Sequence, residues 1–130
     1  NAPGHSYVLD SVIESGFIGL SVRGDSRITV RGNTFIDNNI GVHLACNVLD
    51  AGTRTECPQA TINYNNLLSR RAISTVGPIY STQIRQGVNA KWNWWGTTDV
   101  RDIGQYSVDF QNFLDGPVPE IGRASCRERV

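Results

Sequence analysis

The chain has 130 residues, of which 39% are hydrophobic and 18% charged, and its formal net charge is 0 at pH 7. Leu, Ile, Val and Phe supply 34 of the 130 residues, too many for a disordered segment, and no apolar run is long enough to span a bilayer as a helix. Balanced charge gives no electrostatic footprint for nucleic acid or an anionic membrane surface.

One frame recurs along the chain. Ser6, Val8, Ser11 and Ile13 reappear 22 residues later as Ile28, Val30, Asn33 and Phe35. They return 32 residues further on as Ala60, Ile62, Asn65 and Leu67, and 28 beyond that as Val88, Ala90, Asn93 and Trp95. Repeats of this period are the signature of a solenoid, in which each unit covers the apolar face of its neighbour. The core stack expected from this frame is Val8, Val30, Ile62 and Ala90, with Ile13, Phe35, Leu67 and Trp95 as a second row.

In chain order, the first coil is expected near residues 6–26 and the second near 27–46. The second is the clearest: Ile28 and Val30 alternate with polar residues, Gly32-Asn33 turns, Phe35 begins another inward stretch, Asn38-Asn39 turns again, and Ile40 to Leu44 returns to period two. The segment Ile18 to Val22 overlays Ile40 to Leu44. An insertion follows around Asn47–Pro58, bracketed by Cys46 and Cys57. A disulfide between them would close a loop that leaves and rejoins a coil; two separate thiols are the alternative, and mass measurement with and without reductant distinguishes the two. The third coil runs near 59–76 and blurs after Leu67. Gly77-Pro78 marks a second excursion, and a fourth coil lies near 84–96. Residues 97–119 form a cap, with Val100–Tyr106 a turn or short helix, Ser107–Phe110 a last strand, and Gly116-Pro117-Val118-Pro119 leaving the fold because Pro cannot continue a ladder.

Ser11, Asn33, Asn65 and Asn93 share one turn position. Asn tolerates left-handed backbone and its amide bonds neighbouring backbone, so stacked copies form a ladder along the axis. Residues 121–130 read as the translation of a sequencing adapter, and excluding them takes Lys+Arg from 12 to 9 and Asp+Glu from 12 to 11, a net charge of −2. The unit expected to fold is therefore 1–120, a C-terminal fragment with further coils upstream, and marginally stable alone for want of its upstream neighbour.

The block Trp92-Asn93-Trp94-Trp95-Gly96-Thr97-Thr98-Asp99, with Val88-Asn89-Ala90 before it and Val108-Asp109-Phe110 after it, resembles the closing segment of right-handed parallel β-helix repeat proteins, pectin-lyase-like in fold and including NosD-type repeats. The resemblance covers roughly residues 6–118 and implies an all-β, right-handed parallel β-helix (a β-solenoid) of about four coils, with the Trp-Trp block ending the regular coils and a secreted or cell-envelope setting (extracellular or periplasmic).

Enzymes of that fold act on acidic polysaccharides through side chains on one outward face. The outward row is Leu9, Arg31, Asn63 and Lys91. Arg31, Asn63 and Lys91, with Trp92 beside them, are candidate glycan contacts, since Arg offers paired donors to a carboxylate and indole stacks on a sugar ring. A solvated strand face and core capping by the tryptophans are the plainer readings. The row lacks the paired carboxylates of sugar hydrolysis. Asp99, Asp102, Asp109 and Asp115 lack calcium-loop spacing and read as turns and caps. His43 is outward and alone, and His5 precedes the first coil, so no metal site is expected. No cofactor motif occurs, and catalytic residues are not identified. The leading expectation is a non-catalytic extracellular scaffold or interaction module that binds a polysaccharide or cell-surface glycan. The alternatives are part of a polysaccharide lyase or glycoside hydrolase with its catalytic coils upstream, or the stalk of an adhesin. No nucleic-acid partner and no membrane span are expected.

Overall fold

Short runs that alternate apolar and polar residues, most of them cut off by Gly, Asn, Asp or Ser, form strands of two to six residues. The computed structural model describes residues 5–52, 54–76, 88–103 and 108–119. The strands are β1 (His5–Leu9), β2 (Val12–Glu14), β3 (Ile18–Arg23), β4 (Arg27–Arg31), β5 (Thr34–Ile36), β6 (Ile40–Ala45), β7 (Asn47–Leu49), β8 (Arg54–Glu56), β9 (Gln59–Asn63), β10 (Asn66–Leu68), β11 (Arg71–Val76) and β12 (Val88–Asn89). Among the described residues a short α-helix, α1, spans Val100–Ile103, and a 3-10 turn spans Asp50–Gly52. No helix among the described residues is long and apolar enough to cross a membrane.

Three parallel sheets result, in the orders β1-β4-β9-β12, β2-β5-β10 and β3-β6-β11. Strands β1–β3, β4–β6 and β9–β11 are successive tiers of chain, each contributing one strand to every sheet. The fold is all-β and mostly parallel, and its stacked sheets are compatible with a β-solenoid. Register follows the repeating frame: Ser6, Ile28, Ala60 and Val88 are in line, as are Val8, Val30 and Ile62. Ala90 follows Asn89, which pairs with Thr61. Ile13, Phe35 and Leu67 form a second line, and a bridge from Asn66 to Trp94 carries it on to Trp95. Val30, Phe35, Val42, Leu44 and Ile62 are fully buried between the sheets.

Buried amides tie the tiers together. Asn33 Oδ1 accepts from the Ser11 N–H at 2.9 Å, Asn65 Oδ1 from the Asn33 N–H at 2.9 Å, and Asn93 Oδ1 from the Asn65 N–H at 3.0 Å. Each Nδ2 reaches back one tier, to the carbonyls of Val8, Val30 and Ile62. The backbone reason offered for Asn in this row needs correction. The left-handed residue is the one before it: Asp10, Gly32, Tyr64 and Trp92 all have φ between 48° and 73°, and Asn112 continues the row at 57°. Asn is required by its amide, while the strain sits next door.

A second ladder runs at the next corner. Asn38 Oδ1 accepts from the Gly16 N–H at 2.9 Å, and Asn38 Nδ2 donates to Ser69 Oγ at 3.0 Å and to the Ile13 carbonyl at 2.9 Å. This corner explains why the third repeat blurs. Leu68 pairs with Ile36, an offset of 32, whereas Arg71 pairs with Ile40, an offset of 31. One residue, the counterpart of left-handed Asp37, is missing there, and β11 still pairs regularly with β6. Gly41 at the corner is a close approach: a Cβ on it would lie 2.7 Å from the Ala72 carbonyl oxygen.

The insertion is an antiparallel hairpin of β7 and β8 joined at its base by the Cys46–Cys57 disulfide. Closing a loop of sequence separation 11 removes unfolded-state entropy equivalent to roughly 2–3 kcal/mol. At the far end Trp95, Ile103 and Val108 enter the core, with Phe110 and Phe113 packed against it. Asp109 bridges Asn89, so Val108-Asp109-Phe110 adds a further rung. The segment Gly116-Pro117-Val118-Pro119 does not leave the fold, contrary to the sequence reading. The Val118 N–H donates to Asn66 Oδ1 at 2.7 Å and its carbonyl accepts from Asn66 Nδ2 at 3.0 Å. The flanking prolines lack donors, but Val118 keeps both backbone groups, and an outward amide matches them. The excursion at Gly77-Pro78, residues 84–87 of the fourth unit, Tyr106, Ser107 and residues 121–130 lie outside the described residues.

Asp99 opens α1. Its carboxylate accepts from the Arg101 side chain at 3.0 and 3.2 Å and from the Arg101 N–H at 2.9 Å. The side-chain bond first, then the backbone bond, holds the carboxyl below its ordinary value. A depressed folded-state pKa means that this contribution is present above the ordinary carboxylate range and is lost as pH falls through the depressed midpoint. Carbon-13 NMR titration is expected to give Asp99 a midpoint below that of free aspartate, and Arg101→Ala is expected to raise it. The pair is exposed, so the melting temperature responds weakly.

Candidate functional site

The outward positions of the first sheet form a polar face. Alternation in β1, β4, β9 and β12 turns Ser6, Val8 and their partners inward and the intervening residues outward. The outward rows are His5, Arg27 and Gln59; Tyr7, Thr29, Thr61 and Asn89; and Leu9, Arg31 and Asn63, with Lys91 next. His5 Nε2 lies 2.9 Å from Thr29 Oγ1, and the His5 ring stacks on Tyr7 with centroids 4.7 Å apart. A shallow groove of about 440 Å³ opens between the rows, lined by His5, Arg27, Gln59, Thr61 and Asn89 among others.

The four candidate glycan contacts lie together at one margin of this face. Asn63 pairs with Arg31, and Asn63 Nδ2 donates to the Lys91 carbonyl at 2.9 Å and to Asn89 Oδ1 at 3.2 Å. The Lys91 ammonium lies 3.5 Å from the Asp109 carboxylate. The Arg31 guanidinium sits 5.0 Å above the Tyr64 ring, and Tyr64 stacks on Trp92 with centroids 6.2 Å apart and planes 7° from parallel. Arg31, Tyr64 and Trp92 thus form one column along the corner, with both rings partly in solvent.

Tyr64, Arg27, Gln59 and Thr61 were not singled out from the sequence, Asn89 was named only within the closing block, and His5, read as preceding the first coil, instead opens β1 and pairs with Arg27. A signal for Tyr64 existed: it stands one residue before its ladder asparagine, as Trp92 does, so the frame itself stacks the two rings. Trp92 and Trp95 have different places, the first on the corner and the second in the core. Leu9 is also at the face, but as an exposed apolar residue at its top.

The groups on this face are hydroxyls, amides, guanidinium, the Lys91 ammonium and the His5 imidazole. No outward position of β1, β4, β9 or β12 carries a carboxylate, and Asp109, on the adjoining rung, is held by Lys91. This face therefore lacks the acid pair that glycoside hydrolysis uses. Asp99 is engaged with Arg101 at the start of α1, and among the described residues no group of three or more His, Cys, Asp and Glu is placed to hold a metal ion. His43 stands in the third sheet between Ser21 and Ser74, and its Nδ1 is buried with no hydrogen-bond partner among the described residues. Comparison with protein-family models, with curated proteins and with solved structures returns no match.

Proposed function

We propose that the chain is a right-handed parallel β-helix of about four coils with a C-terminal cap, acting outside the cell or in its envelope as a non-catalytic, glycan-binding module. The observation that supports this reading is the Arg31–Tyr64–Trp92 column beside rows of amides and hydroxyls. Parallel strands repeat donors about every 4.8 Å along the stack, which suits a linear polymer of sugar hydroxyls, and a partly exposed aromatic edge adds apolar contact. The disulfide supports an oxidising compartment. The absence of a carboxylate pair on this face supports binding over hydrolysis.

A glycan array followed by calorimetry tests the proposal. Binding to at least one polysaccharide class is expected, with Arg31→Ala and Trp92→Ala each weakening it by about tenfold, the scale of one lost charge-assisted or stacking contact. Folded protein that binds no glycan removes the reading and leaves the stalk of an adhesin. Cleavage of polygalacturonate or alginate would instead favour a polysaccharide-degrading enzyme.

A further inference from the structure

The corner between the second and third sheets is built twice and then cut short. The Asn39 N–H donates to the Gly16 carbonyl at 3.1 Å, and the Arg70 N–H donates to the Asn38 carbonyl at 3.0 Å. The same bond repeated one tier down puts Phe17, Asn39 and Arg70 in one column. Beside that column the Ser15 N–H donates to the Ile36 carbonyl at 3.3 Å. Asp37 follows Ile36 as Ser15 follows Glu14, but the third tier runs from Leu68 straight to Ser69, so no residue lies beneath Asp37. Among the described residues the Asp37 N–H has no counterpart of the Ser15 bond. The shortened corner leaves an open recess of about 630 Å³, lined by Phe17, Asp37, Asn39, Leu68 and Arg70 among others.

We propose that this recess is a peptide-binding site that takes a zwitterion of two or three residues. Opposite charges stand in it unneutralised: among the described residues, neither the Asp37 carboxylate nor the Arg70 guanidinium has an ion-pair or hydrogen-bond partner. A neutral sugar polymer would leave both of them unmatched, and a polyanion would meet the Asp37 carboxylate. One ligand that carries both signs matches both. A peptide offers its ammonium to Asp37 and its carboxylate to Arg70, whose fork gives two parallel hydrogen bonds. Asn39 brings an amide donor and acceptor for a peptide bond, and Phe17 and Leu68 bring apolar surface for a side chain. The length agrees. Tiers lie about 4.8 Å apart, so the column from Phe17 to Arg70 covers roughly 10 Å, the reach of about three extended residues. The recess shares no residue with the outward rows of the first sheet, so it does not rest on the glycan reading.

Nitrogen-15 NMR titration of the full chain with the tripeptide Ala-Leu-Ala tests this. Saturable shifts of the Asp37, Asn39 and Arg70 amides are expected, with a Kd on the order of 1 mM. Arg70→Ala is expected to weaken binding by about tenfold, the scale of a lost charge-assisted bond, and the parent is expected to bind the C-terminal amide of the peptide equally weakly. Asp37→Asn keeps a residue that tolerates left-handed backbone; it is expected to weaken binding of the free peptide but not of its N-acetyl form. Arg101→Ala, in α1, is expected to change nothing. Circular dichroism is expected to match the parent for all three variants, which separates lost binding from lost fold. No shift of these amides up to about 10 mM peptide, shifts that survive Arg70→Ala, or an amidated peptide that binds as tightly as the acid overturns the proposal. A neutral oligosaccharide that shifts the same amides while the peptide does not gives the recess to sugar and overturns it too.

Discussion

Asn65→Ala is expected to lower the unfolding free energy by about 3–5 kcal/mol in urea titration, the sum of several buried bonds at roughly 1–3 kcal/mol each. The Asn65 amide accepts from the Asn33 N–H at 2.9 Å and from Asn33 Nδ2 at 3.1 Å, and donates to the Val30 carbonyl at 2.9 Å and to Asn93 Oδ1 at 3.0 Å. Alanine leaves the Asn33 N–H and the Val30 carbonyl buried with nothing to replace the lost partner. Asn65→Asp is expected to do no better, because carboxylate oxygens would then face the Val30 and Asn93 oxygens. Ser11→Ala makes the contrast: its hydroxyl serves one exposed bond, to the Leu9 carbonyl, so about 1 kcal/mol or less is expected. Equal effects at Ser11 and Asn65 would show that burial of the ladder contributes nothing.

Phe35→Ala is expected to cost about 3–5 kcal/mol, the range for a fully enclosed aromatic side chain. Phe35 lies between Ile13 and Leu67 and is wholly buried. The walls around it are poorly able to collapse. Asn ladders pin the corners on either side of β5, and the position a Cβ would take on Gly19 is already 3.1 Å from the Phe35 ring. Val48→Ala on the exposed hairpin should change stability by no more than about 0.5 kcal/mol. A Phe35→Ala variant within about 1 kcal/mol of the parent would mean that the central cavity refills, and that the tiers slide more freely than the ladders suggest.

The reach and the limit of sequence reading both show at particular residues. The lines Ser6-Ile28-Ala60-Val88 and Val8-Val30-Ile62 were legible because inward residues recur at a constant phase within each unit. The Asn33-Asn65-Asn93 row was legible because three copies of one polar residue sit in an apolar frame. The second ladder was not: its members, Gly16, Asn38 and Ser69, share no side-chain type, and the deletion beside Ser69 moves it out of phase with the row before it. Arg31, Asn63 and Lys91 were picked from the same frame, yet Tyr64 was passed over although it holds Trp92's place before a ladder asparagine, and Asn89 was not taken as a contact because its row, Tyr7, Thr29, Thr61 and Asn89, repeats no one side-chain type.

The chain's own residues determined which side chains pile up between the sheets and where the turns fall, since alternation and turn chemistry act over a few residues at a time. Only the tertiary structure decided that the left-handed strain sits before each asparagine, that Val118 folds back on Asn66, that Arg31, Tyr64 and Trp92 share one column, and that Ile103 and Val108 join Trp95 in the core. Those features depend on contacts between residues tens of positions apart, and every insertion or deletion between them resets which residues meet.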